Sequence, residues 1–90
     1  MNLDQIREQI DSLDKELIMT LSKRMALIPN VAKYKQENNM PRFIPEREKA
    51  IIQEKRQIAK EQNINPDLAE NIIKLIIEDA HRIEKKILKS

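Results

Sequence analysis

Apolar residues recur every three or four positions from Leu3 onward: Leu3, Ile6, Ile10, Leu13, Leu17, Leu21, Met25, Ile28 and Ala32. That spacing places them on one face of an α-helix and predicts a first helix over about residues 3–38. Pro29 is the only breaker inside it. A proline there removes the hydrogen bond to the Met25 carbonyl and bends the axis. The stripe keeps its phase across the proline, and no Gly, Asn or Ser cluster precedes it. One long kinked helix is therefore favoured over two helices meeting near Ile28.

Asn and Pro punctuate the stretch from Asn38 to Ile44, which reads as a loop. Pro45 suits the first position of a second helix, over about 45–62, with Ala50, Ile51 and Ile58 as a thin apolar edge. A second break falls at residues 63–67. Asn65 is the expected N-cap, Pro66 the first helical residue, and Asp67 favours the positive helix end. The third helix, over about 66–88, presents Leu68, Ile72, Ile73, Ile76, Ala80, Ile83 and Ile87 on one face. The expectation is an all-α fold: a single domain of three helices over residues 1–90, with no repeat or linker.

The length of the first helix has a consequence. About 36 residues at 1.5 Å each span about 54 Å, whereas a compact chain of this size has a radius of gyration of about 12 Å. The helix must project beyond its own protomer, and its stripe needs cover. The same helix of a second copy supplies it, which predicts an intertwined homodimer.

Composition supports the helical reading and narrows the function. The chain has no Gly, no Cys and no Trp, and Tyr34 and Phe43 are its only aromatics. Without Gly the tight turns of a sheet are hard to make. Seventeen Lys and Arg against fifteen Asp and Glu leave +2, a solvated helical surface rather than a nucleic-acid footprint. No apolar run approaches the roughly 20 residues of a membrane span. The start is charged from Asp4 onward, so no secretory signal is read and a cytoplasmic location is expected. The lack of Cys argues against a disulfide framework or a thiolate metal site.

Two cations break the buried face. At 100° per residue, Arg24 and Lys35 lie within about 30° of the stripe centre, whereas Lys23 and Lys33 point away. Charge on a buried face is costly unless paired. The two are eleven residues apart, about 16 Å along the axis. Arg7 lies on the stripe's edge about 25 Å from Arg24, so one small ligand cannot touch both on one straight helix. It can touch Arg24 of one chain and Arg7 of the other, which gives two equivalent shared sites in a dimer. The plainer reading is that such cations only snorkel or pair, Arg7 with Asp11 and Arg24 with a glutamate of the second helix.

Several blocks, taken in order, resemble the all-helical chorismate mutases. They are Ile6-Arg7-Glu8-Gln9-Ile10-Asp11-Ser12-Leu13-Asp14, Ser22-Lys23-Arg24-Met25, Val31-Ala32-Lys33-Tyr34-Lys35, Pro45-Glu46-Arg47-Glu48 and Leu75-Ile76-Ile77-Glu78-Asp79-Ala80. The resemblance covers essentially the whole chain. It implies a pericyclic rearrangement of chorismate to prephenate in aromatic amino-acid biosynthesis, with no cofactor, no metal and no covalent intermediate. Catalysis would be positioning plus preorganised electrostatics. By the same resemblance, Arg7 of the partner and Arg24 grip the carboxylates of the small dianionic substrate. Lys35 donates to the ether oxygen, Glu48 binds the ring hydroxyl, and Arg47 orients the polar groups.

Three positions depart from the family pattern. Ile44 stands where an acidic residue often helps to hold the ring hydroxyl. Ala80 stands where Ser is common, which removes a carboxylate contact. Glu84 stands where Gln often donates to the ether oxygen. An ionised Glu cannot donate and a protonated one can, so Glu84 is expected to act protonated, with activity falling as pH rises. His81, on the same side of the third helix as Glu84, is read as a packing or surface residue rather than a general base, with a contact to the ligand or to Glu84 as the alternative; Tyr34 and Phe43 are read as packing groups. Related members act as isochorismate pyruvate-lyases and tolerate apolar residues near position 44, so that activity is an alternative. A mutase acting on 4-amino-4-deoxychorismate and a non-catalytic helical dimerisation or regulatory module are the others.

Overall fold

The computed structural model describes residues 1–89. Four helical segments follow one another: α1 (Leu3–Ala26), α2 (Ile28–Glu37), α3 (Pro45–Glu61) and α4 (Pro66–Leu88). The first two make up the long N-terminal helix. They are parted by the single residue Leu27, whose φ −83° and ψ −17° remain right-handed helical. Its N–H bonds the Arg24 carbonyl at 3.1 Å. Pro29, which can donate no hydrogen bond, falls at the start of α2. The interruption thus falls one residue before Ile28, and the helical line resumes at once.

Each start has a local cause. Asn2 and Gln5 form a reciprocal capping box at α1, with both bonds at 2.9 Å. Pro45 opens α3, and Asn65 caps α4 by accepting from the Asp67 N–H at 3.0 Å. The turns after α2 and α3 pass through Asn39 (φ 53°) and Asn63 (φ 59°). In a chain without Gly, asparagine takes these left-handed positions because its short polar side chain tolerates them best.

α4 packs against both α2 and α3, while much of α1 projects beyond them. The principal extents are 55 × 23 × 14 Å and the radius of gyration is 16.3 Å, well above the roughly 12 Å of a compact chain this size. Among the described residues the buried core holds only Ala32, Ala59 and Ala80, with Glu84 as its one buried charged residue. Alanines at these positions let the three helix backbones approach closely. No residue of α1 is buried, and Leu13 and Leu17 are 63% and 64% exposed. Leu17 and Leu21 of α1 and Ile72, Leu75 and Ile76 of α4 line an open apolar groove of about 440 Å³. Among the described residues no helix is long and apolar enough to cross a membrane.

The buried edge of α3 differs from the periodic reading. Ala50 and Ile58 are exposed, whereas Ile51, Ile52, Lys55 and Ala59 turn inward with Glu48. The polar members of this face hid it: Glu48 faces a pocket, and Lys55 is only half exposed. Where α3 turns into α4, Arg56 bonds Asp67 at 2.9 Å and Glu70 at 3.0 Å, and Lys74 bonds Glu70 at 2.6 Å. The Asp67 bond raises the Arg56 guanidinium above its ordinary value. The Lys74 bond, ahead of the Arg56 bond, holds the Glu70 carboxyl below its ordinary value.

Candidate active site

Where α2, α3 and α4 meet there is a cavity of about 170 Å³. Its polar wall consists of Arg24, Lys35, Arg47, Glu48, His81 and Glu84, and its apolar wall of Ile28, Val31, Ile51, Ile77 and Ala80. Arg24 comes from the last turn of α1 and Lys35 from the last turn of α2. Arg47 and Glu48 come from the first turn of α3. The backbone N–H groups of both bond the Ile44 carbonyl, at 3.1 and 3.3 Å. Ala80 and His81 each lie one turn before Glu84 on α4, a spacing that sends Glu84 to their side of the helix.

The electrostatics are uneven. Lys35 Nζ donates to Glu84 Oε1 at 2.9 Å and to the Arg42 carbonyl at 2.7 Å. The side chains of this pair are 13% and 5% exposed, so it sits in a nearly dry setting where each charge depends on the other. An ammonium has three protons; two are committed, and the third is left for a ligand. Arg24 behaves differently. Among the described residues it faces no carboxylate within ion-pair distance, and its nearest polar contact is the Met25 sulfur at 4.0 Å. The pairing of Arg24 with a glutamate of the second helix is therefore absent. Its guanidinium remains free to take a carboxylate in the two-pronged geometry that suits it.

His81 is not a surface residue. Its Nε2 lies 2.6 Å from Glu48 Oε2 and its Nδ1 2.7 Å from Arg42 Nη1. Glu84 Oε2 lies 3.4 Å from Nδ1. Phe43 meets the imidazole edge-on at 6.1 Å but is otherwise half exposed. Tyr34 is also exposed, beside Val31 and Met40, so neither aromatic is a core group in the protomer. Arg42, which the sequence reading did not single out, keeps a buried Nε with no partner among the described residues.

Arg7 is the one expected site residue that lies outside the cavity. It sits on the exposed reach of α1, about 25 Å along the helix from Arg24. Ile44 is half-buried just ahead of α3 but does not line the cavity, and Ala80 lines it with no polar atom to offer. Among the described residues no group of three or more His, Asp or Glu side chains is placed to hold a metal ion.

The profile of the family described as chorismate mutase type II matches residues 6–85. The chain is 31% identical over 86 residues to "Chorismate mutase" of Methanocaldococcus jannaschii, covering 96% of this chain and 87% of that one. This chain belongs to the chorismate mutase type II family. It is also 36% identical over 84 residues to the "T-protein" of Haemophilus influenzae, which covers 93% of this chain. Against the "Bifunctional chorismate mutase/prephenate dehydratase" of Buchnera aphidicola subsp. Schizaphis graminum it is 34% identical over 82 residues. The chain spans only 22% and 21% of those two relatives. The family match runs from the start of α1, near Arg7, to the last turn of α4, just past Glu84. It therefore includes every residue that lines the cavity.

Proposed function

We propose that this chain rearranges chorismate to prephenate, in the cavity that α2, α3 and α4 enclose. The observation that carries the reading is the convergence of Arg24, Lys35 and Arg47 on one small pocket with Glu48 and Glu84, in a chain of this family. Arg24, without a carboxylate partner, takes one substrate carboxylate. The third proton of Lys35 faces the ether oxygen, where negative charge builds as the bond breaks. Glu84 accepts from Lys35 Nζ at 2.9 Å and holds that ammonium in place toward the oxygen. Glu48 accepts from the ring hydroxyl, and Arg47 orients the carboxylates at the α3 end. Ala80 leaves one carboxylate contact unfilled.

The reaction needs no base and no covalent step. The protein's part is to hold the reactive conformer and to offer donors already in place. The second substrate carboxylate needs a further cation, and Arg7 of a partner subunit is the candidate. The exposed stripe of α1 supports a dimer that would bring it there.

The test is a direct assay of chorismate disappearance with purified protein, with isochorismate run beside it and prephenate and salicylate as readouts. Turnover of chorismate to prephenate is expected. Lys35→Ala should lower kcat by about 10²- to 10³-fold. A melting curve is needed with it, because Glu84 loses its main partner. Salicylate from isochorismate without prephenate from chorismate would overturn the assignment in favour of the lyase.

A further inference from the structure

His81 and Arg42 have no part in the chemistry proposed above, yet they bond to each other and to groups that do. His81 is the chain's single histidine. A guanidinium can only donate, so the 2.7 Å contact from Arg42 Nη1 makes the imidazole Nδ1 an acceptor that carries no hydrogen. The ring proton is then on Nε2, which donates to Glu48 Oε2 at 2.6 Å. Donor counting thus leaves one neutral tautomer. A second proton on Nδ1 would set two N–H groups head to head. The Glu84 Oε2 at 3.4 Å consequently faces a lone pair rather than a cation.

We infer that His81 is a positioning residue for Glu48, and that Arg42 makes it one by fixing its tautomer. The line runs from the loop that carries Arg42, through α4, to α3. It starts at a residue held twice: Arg42 reaches His81 with its side chain and accepts from Lys35 Nζ with its carbonyl at 2.7 Å. Glu48 has two carboxylate oxygens. Oε2 is occupied by the imidazole, which turns Oε1 toward the ligand hydroxyl. This inference rests on the hydroxyl-binding role proposed for Glu48. With both ring nitrogens committed, His81 has neither a free lone pair nor a free N–H, so it is not a general base.

The single histidine makes the arrangement measurable without substrate. Long-range proton–nitrogen correlation spectra of the full chain labelled with [¹⁵N]histidine should show a neutral ring with its hydrogen on Nε2. Arg42→Met, which keeps the length and loses the donors, should populate the other tautomer. In chorismate kinetics, His81→Leu should raise KM about tenfold or more while kcat falls less, because a contact to the hydroxyl serves ground and transition states alike. His81→Gln, whose amide N–H can still reach Glu48, should recover most of the loss. Glu48→Gln with His81→Leu should cost little more than Glu48→Gln alone, since the two act as a unit. Melting curves identify any variant that has merely unfolded. An Nδ1–H or cationic ring in the unaltered chain at neutral pH overturns the inference, as do strictly additive losses or a spectrum that Arg42→Met leaves unchanged. If the unaltered chain turns over no chorismate, the functional reading fails by itself, and the spectra still decide the His81 arrangement.

Discussion

If α1 pairs with a second copy as proposed, Leu17→Ala should dissociate that dimer and silence the site without touching it. Leu17 is 64% exposed in the protomer, so about two-thirds of whatever burial it achieves must come from a partner. Full burial of a leucine is worth about 1.5–3 kcal/mol, which leaves about 1–2 kcal/mol per copy for the interface. A two-fold dimer contains two copies, or about 2–4 kcal/mol, and alanine forfeits most of it. At about 1.4 kcal/mol per tenfold, Kd should rise about 30- to 700-fold. Sedimentation velocity over a dilution series measures that shift. Turnover should be followed on the same samples, because the proposed dimer is what would bring Arg7 to the cavity. Loss of activity should then track loss of dimer, and raising the protein concentration should restore both. An unaltered chain that is monomeric at tens of micromolar with full turnover would refute the reasoning. So would a Leu17→Ala chain with unchanged association.

Three further outcomes are expected. Glu84→Gln exchanges the carboxylate partner of Lys35 for an amide that can donate to the ether oxygen and should raise kcat for chorismate; unchanged turnover would remove Glu84 from the reaction. The Glu70 carboxyl lies below its ordinary value, chiefly through the Lys74 bond and then through Arg56. Its contribution to stability is therefore complete above the unfolded value and is lost as pH falls through the lowered folded one. Melting temperatures should drop between about pH 4.5 and lower pH, with a shallower drop in Glu70→Gln. Asn65→Ala removes the acceptor that holds the Asp67 N–H and should cost about 1 kcal/mol in a denaturant titration.

The all-helical fold was readable because the apolar stripe obeys a helical period over a span too long for its own protomer. Residues on either side of Pro29 stay in phase, and the structure keeps them in one line with only Leu27 interrupting. The inner edge of α3 was not readable. Its inward positions include Glu48 and Lys55, which a hydrophobic count treats as surface, so Ala50 and Ile58 were put inside in their place. Arg24, Lys35, Arg47, Glu48, Ala80 and Glu84 could be listed from family spacing alone, and the fold brings all six to one cavity. Arg42 and His81 could not be found that way. They are 39 residues apart, in a loop and on a helix, and neither departs from a local pattern. A histidine beside two glutamates exists only once α3 and α4 are packed. One signal was available: a single His one turn before Glu84, on the helix face that includes Ala80.

The interruption at Leu27 lies between the residues that bear Arg24 and Lys35. The two cations therefore stand on either side of it, and the width between them is sensitive to any bend there as well as to the count of turns. Lys35 stands roughly 10 Å past the hinge, so a change of about 10° there would swing its base by about 2 Å. Misplacement by about 1 Å can cost a hundredfold in rate. The N–H that Pro29 lacks thus bears on the aperture of the cavity, whose wall includes the neighbouring Ile28.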